Sequence, residues 1–314
     1  MRRRLTGISL SLIAALAVVS PAGAATFSYP DFAGTAGLTL SGNAAQEGNL
    51  LRLTPALGFK SGRAFRTEAI DPQQSFQTSF AISMHDSICC SVPTLKPADG
   101  MAFVLQSKAP NAGEGTGGSL GYGGIVPSVA VEFDIFVNAG DPATDHVGIV
   151  TEGNTTSHLQ CANFSGPTAP CTAGLPFPLY GAPVYGWVDY DAGTQHLKVY
   201  VNQTATKPAT PVLDSPVSMA PLGGAAYVGL TAATGAHNSV HDVLSWSFNP
   251  PSAATTTPPS GTPAPPAGKA ATKKCKSKKG KAKAKGKASD SKKKGKGKKC
   301  GAKKGKGKKG AKQG

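Results

Sequence analysis

The stretch from Val129 to Val150 concentrates the side chains best able to do chemistry. In Glu132-Phe133-Asp134 two carboxylates stand two residues apart, a spacing that puts both on one side of a strand. Phe136 follows on that same face, and the chain then turns, carrying Asn138, Asp141 and His146. Three carboxylates, an amide oxygen and an imidazole after one strand make enough ligand for two adjacent cations. A hard ion takes oxygen, so Asp134, Asn138, Asp141 and a backbone carbonyl suit calcium. An ion that accepts imidazole beside carboxylates suits Glu132, Asp134, Asp141 and His146, and manganese or a similar transition metal answers to that set. Taken singly, Glu132 and Asp134 read as a polar strand face and His146 as a turn residue. With Asn138 and Asp141 in place, ligation is the better reading. His85, His158, His196 and His241 have no comparable partner set and read as surface or core histidines.

Such a constellation needs a scaffold, and the surrounding sequence supplies strands. Phe80, Ile82 and Met84 alternate with Ser79, Ala81 and Ser83. Val129, Val131, Phe133 and Ile135 alternate with Ala130, Glu132 and Asp134. Leu197, Val199 and Val201 alternate with His196, Lys198 and Tyr200, and Leu244, Trp246 and Phe248 with Ser245 and Ser247. Period two over many short runs, separated by Gly, Pro, Asn and Asp, predicts an all-β fold, an antiparallel β-sandwich. Trp246 falls on the apolar side of its run and is assigned to the core.

The ends differ from the middle. Residues 1–24 read as a signal peptide: Arg2-Arg3-Arg4, an apolar stretch from Leu5 to Val19, then Ala22-Gly23-Ala24. Residues 25–249 form the expected folded domain, 250–268 a Pro/Thr-rich extended linker, and 269–314 a Lys/Gly/Ala tail with nothing to build a core, expected to be disordered. The formal net charge of +16 is a property of that tail, which holds 22 lysines and the single acid Asp290. Residues 25–268 carry 8 basic against 16 acidic side chains, so the folded part is itself acidic. The tail has no aromatic residue for base stacking, which argues against a specific nucleic-acid module. It would bind anionic polymers or surfaces in a salt-dependent way.

Export permits disulfides. Cys161 and Cys171 flank a loop with Gly166, Pro167 and Pro170 and are plausible partners, and Cys275 could bond Cys300. The adjacent Cys89 and Cys90 could bond elsewhere or to each other. No C-x-x-C spacing of a zinc or redox site occurs.

Four stretches, in one order, resemble the legume lectins. Val129-Ala-Val-Glu-Phe-Asp134, with Asn138, Asp141-Pro142 and His146-Val-Gly-Ile149, is similar to their metal-binding strand and loop. Pro97-Ala98-Asp99-Gly100 resembles the segment whose Asp binds sugar, and Gly117-Gly118-Ser119-Leu120-Gly121 the glycine loop. Gly229 to Gly235 and His241 to Phe248 resemble the closing strands and specificity loop. One such motif is weak, whereas four in register over one domain are specific.

The resemblance implies a jelly-roll β-sandwich and a carbohydrate-binding role without catalysis. It implies Glu132, Asp134, Asp141 and His146 on the transition metal, and Asp134, the Phe136 carbonyl, Asn138 and Asp141 on calcium. It implies sugar contacts from Asp99, Gly118 and Asn138, with the backbone near Ala236 and His237 helping and the Phe136 ring stacking or simply packing. It also implies a cis peptide at Ala98–Asp99. Two features depart from the family pattern: Gly140 stands where an aromatic residue is common, and the Asn138–Asp141 gap is short. Partners implied are glycans, with a lean to the mannose/glucose type from the length of the Gly235–His241 loop, and a homo-oligomer is compatible. The implied location is secreted, or held at the cell surface or wall.

Two other functions compete. A glycoside hydrolase on the same sandwich would use a Glu-x-Asp-x-(x)-Glu strand with carboxyls about 5–5.5 Å apart. Here Phe136 and Val137 stand where the third acid should be, so the acid/base pair is incomplete. An adhesion or wall-structural protein would make the polycationic tail its working part.

Overall fold

The alternating runs become strands, and Phe80, Ile82, Met84, Trp246 and Phe248 are buried as expected, whereas a bulge between Val243 and Ser245 puts Val243 in the core and leaves Leu244 half-buried. The computed structural model describes residues 26–87, 96–142, 145–167 and 169–249. The expectations for the signal peptide, the linker and the tail, and those for Cys89, Cys90, Cys275 and Cys300, lie outside the described residues. In chain order the strands are β1 (Phe27–Tyr29), β2 (Leu38–Gly42), β3 (Ala45–Glu47), β4 (Leu50–Thr54), β5 (Ser61–Arg66), β6 (Phe76–His85), β7 (Gly100–Gln106) and β8 (Ser128–Asp134). The second half supplies β9 (His146–Thr151), β10 (His158–Asn163), β11 (Ala173–Gly174), β12 (Val184–Asp191), β13 (His196–Asn202), β14 (Leu213–Pro216), β15 (Tyr227–Ala233) and β16 (Val240–Asn249). Short 3-10 turns occur at Gly117–Ser119 and Ala220–Leu222, and no α-helix is found among the described residues.

Two eight-stranded sheets result. One runs β14-β13-β12-β6-β16-β4-β3, with β1 also on β16; the other runs β11-β10-β9-β8-β7-β15-β5-β2. Pairing is antiparallel except for the two-residue parallel contact of β10 with β11. Across the gap, Phe80 of β6 meets Phe103 of β7 and Phe133 of β8, with ring centroids 5.9 and 5.5 Å apart. Each fully buried side chain of this size is worth about 1.5–3 kcal/mol. Trp246 is in that core, as its strand parity required, and its indole N–H donates to Thr78 Oγ1 at 3.0 Å.

The strand that matters most departs from simple alternation. Every residue of β8 is buried. Val129, Val131 and Phe133 enter the main core, whereas Ala130 belongs to a second cluster with Phe65, Val104, Leu120, Tyr122, Ile125 and Val150. The outer face of β8 is therefore roofed by the glycine-rich segment. Glu132 and Asp134 share that roofed face and are buried with it. Cys161 and Cys171 are joined by a disulfide, tying β10 to the chain that follows it.

Candidate functional site

The site lies where the ends of β7, β8 and β9 meet the loops after them. Gly100 pairs with Asp134, and Asp134 with His146, so the start of β7, the end of β8 and the start of β9 lie side by side. Asp99 immediately precedes β7 and is 2% exposed. The Ala98–Asp99 peptide is cis, as the resemblance implied. The Asp99 N–H donates to the Ala233 carbonyl at 3.1 Å, and its own carbonyl accepts from Ile135 N–H at 2.9 Å. The residue is thus stitched to β15 on one side and β8 on the other.

The turn after β8 is built around carboxylates. Asp134 Oδ1 accepts the Phe136 N–H at 2.7 Å, and Asp141 Oδ2 accepts the Asn138 N–H at 2.8 Å. The Asp141 N–H returns to the Asn138 carbonyl at 3.2 Å, closing a tight turn. Gly140 has φ +101°, and a Cβ there would come within 3.2 Å of Thr156 Cβ. The short turn and its glycine therefore go together: any side chain here would be strained in its backbone and crowded against Thr156.

Three loops converge on Asp99 and Asn138. A Cβ on Gly118 would sit 2.5 Å from Asn138 Oδ1, and one on Gly235 would sit 3.2 Å from Asp99 Oδ2. The Gly117 N–H donates to the Thr234 carbonyl at 2.9 Å, locking the glycine loop to the end of β15. Asn138 hydrogen-bonds Asp99 through its side chain, and the Gly235 backbone does so too. Asp99 Oδ2 and Asn138 Oδ1 nonetheless remain buried without a hydrogen-bond partner among the described residues. An orphaned carboxylate oxygen beside an orphaned amide oxygen is a costly arrangement that a ligand or cation relieves. Phe136 is half-buried, and its ring packs on that of His237 at 4.8 Å between centroids. His237 Nδ1 accepts the Lys96 N–H at 3.0 Å. Ala236 is exposed at the rim.

On the other side of Asp134 the donors change character. Glu132, His146 and His158 place one ligand atom each within 4.8 Å of one another. His158 Nε2 lies 3.1 Å from Glu132 Oε2 and 3.2 Å from His146 Nε2. The Tyr122 hydroxyl donates a short hydrogen bond to Glu132 Oε1. Asp134 and Asp141 adjoin this group closely enough to perturb its charges.

Electrostatics make the same point. Burial, opposed by hydrogen bonds from Gly235 and Asn138, pushes the Asp99 carboxyl up to about 6. Burial also raises Glu132, Asp134 and Asp141, and the charge of Asp141 raises Glu132, Asp134 and Asp99 further. Four carboxyls crowded into one low-dielectric corner ionise together only if positive charge is supplied. Divalent cations fit this donor set: an orphaned amide oxygen with carboxylates for a hard ion, and imidazoles with carboxylates for a transition ion.

The structure thus gathers Glu132, Asp134, Asn138, Asp141, His146, Asp99 and Gly118 in one place. It adds His158, which sequence reading left among the partnerless histidines. The available signal was the hairpin: β9 and β10 fold back on each other, and Gly148 leaves room for a ring between them. Asp145, by contrast, is turned away, its Oδ2 accepting the Leu179 N–H at 2.8 Å.

Residues 24–263 match the legume lectin domain. A seed lectin of Styphnolobium japonicum is 31% identical over 244 residues, covering 71% of this chain and 78% of that protein. The basic agglutinin of Psophocarpus tetragonolobus is 32% identical over 189 residues, covering 56% of this chain and 69% of its own length. An L-type lectin-domain containing receptor kinase, SIT1 of Oryza sativa subsp. japonica, is 30% identical over 247 residues, but this chain spans only 36% of it. Among solved structures, basic winged bean lectin with Tn-antigen superposes with a TM-score of 0.58 at 28% identity, covering 71% of this chain and 97% of that one. The winged bean acidic lectin complexed with methyl-alpha-D-galactose gives 0.58 at 25% identity, covering 71% and 97%.

Proposed function

The chain belongs to the legume lectin domain family, whose domain binds carbohydrate and is not itself catalytic, and from that premise we propose that it is an exported lectin whose sugar site is held open by bound divalent ions. The observation that carries the reading is the pair of buried oxygens, Asp99 Oδ2 and Asn138 Oδ1, which have no hydrogen-bond partner among the described residues and lie beneath the Gly118 and Gly235 loops.

Each residue has a role in that reading. Asp99 accepts from sugar hydroxyls, while the Gly118 N–H and the Asn138 amide N–H donate. The Phe136–His237 ring pair offers an apolar edge for the sugar's C–H face, and the backbone at Ala236 and His237 closes the rim. Calcium is held by Asp134, the Phe136 carbonyl, Asn138 and Asp141. A transition ion, manganese or similar, is held by Glu132, Asp134, Asp141 and His146. When bound, the ions supply the positive charge that lets these carboxyls ionise together, and they fix the 136–141 turn. The protein's own work is to orient Asn138 and Asp99, which it does through glycines that bring backbone within reach of both.

The Gly235–His241 loop inclines the site to mannose or glucose. The two winged bean structures carry Tn-antigen and methyl-alpha-D-galactose by their own descriptions, so galactose-type sugars belong in the test as well. A shallow polar site binds one sugar modestly, and several copies of the domain, in a homo-oligomer or on a surface, multiply that affinity. The tail, with 22 lysines against one acid, supports tethering to anionic polymers of a wall or cell surface. A glycan array probed with and without chelator tests the sugar and cation parts together. Binding of hexose glycans that disappears with chelator is the expected result. Binding to no glycan, or binding indifferent to chelator, refutes the proposal.

A further inference from the structure

We propose that His158 is a direct ligand of the transition ion, making this site a two-imidazole centre that selects zinc over manganese. The inference rests on the metal-binding reading above and concerns a residue outside the ligand set that reading uses.

Four observations carry it. First, His158 Nε2 converges with Glu132 Oε2 and His146 Nε2 at 3.1 and 3.2 Å. Donors bonded to one ion at about 2.0–2.1 Å lie about 3.0–3.4 Å apart. A proton on His158 Nε2 can point at one of these neighbours, whereas a cation between them serves all three. Second, the fold makes room for the ring. A Cβ on Gly148 would be 2.2 Å from His158 Cδ2 and 2.9 Å from Nε2, so only glycine lets the imidazole lie over β9 towards His146. Third, a bulge aims it: His158 pairs with Val150 but Gln160 with Ile149, and the extra residue, Leu159, is 50% exposed. Bulges re-aim side chains in this way. Fourth, the His158 side chain is 0% exposed, and its Nδ1 has no partner among the described residues. The contact that can hold a proton on Nε2 is Glu132 Oε2, and a cation takes that proton's place on binding. The Tyr122 hydroxyl meanwhile occupies Glu132 Oε1 and leaves Oε2 to face the imidazoles.

The chemistry then sets the preference. Carboxylate-rich shells suit manganese, imidazole suits zinc, and for a given site the affinity order already places zinc above manganese. A second buried imidazole widens that gap.

The test uses the full-length chain with free thiols alkylated, so that cysteines contribute no metal. Chelator-stripped protein is equilibrated with equal calcium, manganese and zinc, washed, and its metals counted by mass spectrometry. The expected result is about one zinc per chain, with zinc exceeding manganese about tenfold or more. In His158→Asn the zinc-to-manganese ratio falls about tenfold or more, with calcium retained. Cobalt loading gives a second readout that does not depend on sugar binding: its visible spectrum changes between the parent and His158→Asn. Manganese in the parent site, or a ratio and cobalt spectrum unmoved by the substitution, overturns the inference and leaves the lectin reading standing. If no divalent ion of any kind binds the correctly folded protein, both fall. Gly148→Ala, which drives a methyl group into the ring, reproduces the shift if His158 is the cause and leaves it unchanged if it is not.

Discussion

Gly118 and Asn138 stand so close that a methyl group on the glycine would meet the amide oxygen at 2.5 Å and its carbon at 2.7 Å. Real side chains do not tolerate that approach, so one of the two must move. Gly118 is not in the left-handed region, and alanine is acceptable to its backbone. Gly118→Ala therefore tests the sugar site without testing the fold. Sugar affinity measured by calorimetry is expected to fall about tenfold or more, with the melting temperature little changed.

Asp99→Asn probes the other half of the same contact. The amide keeps the shape but replaces one acceptor with a donor and removes the charge. Hydrogen bonds to a charged group are worth about 1.5–3 kcal/mol, so affinity is expected to drop about 10- to 100-fold. Full retention of binding would remove Asp99 from the site.

Removing the ions should have a pH-dependent cost. In stripped protein the Asp99 carboxyl sits at about 6, and Glu132, Asp134 and Asp141 are raised as well. Raised carboxyls hold protons in the native state that the unfolded chain has released. Stripped-protein stability therefore falls as pH rises from the ordinary carboxylate range through about 6. Metal replaces those protons, so the gain in melting temperature on adding metal is expected to be larger at pH 7.5 than at pH 5. The difference should exceed about 3 °C, the shift that about 1 kcal/mol makes in a domain of this size. Equal gains at both pH values would mean that the carboxyls are not what the ions compensate.

A buried imidazole gives the opposite dependence, a loss of stability in acid. His241 is buried between Thr54 Oγ1, 2.6 Å from Nδ1, and Ser239 Oγ, 3.1 Å from Nε2. Burial, helped by the nearby His85, lowers it to about 3. The ring is neutral in the native state, while the unfolded chain takes up a proton below about 6.5. Its contribution is therefore complete above that pH and is lost as pH falls towards 3. His241→Asn removes the titrating group but keeps a donor and an acceptor. Thermal melts from pH 7 down to pH 3 should show a flatter decline in the variant. The carboxyls are common to both proteins, so the difference isolates the imidazole.

Much of this was legible before any coordinates. The parity of Phe80, Ile82 and Met84, and that of Trp246 and Phe248, located the core because one face of a sheet must be apolar. Glu132, Asp134, Asn138, Asp141 and His146 were legible because their spacing survives folding as one strand and one turn. The roof over β8 was not: Leu120, Tyr122 and Ile125 sit among glycines with no period, and burial on both faces erases the contrast that alternation relies on. His158 was missed for a related reason. Its position depends on hairpin register, on a bulge at Leu159 and on the missing Cβ of Gly148, none of which is a property of the histidine's own neighbourhood. The pairing of Phe136 with His237 was equally hidden, since it joins two loops far apart in the chain.

Cations come first and sugar second. Titrating calcium together with the transition ion into stripped protein by calorimetry, and then titrating sugar, measures that order directly. The expected result is no heat of sugar binding before the ions, saturable ion binding, and a sugar isotherm only afterwards. The same sugar isotherm in chelator, or a correctly folded protein that takes up no divalent ion, would contradict it.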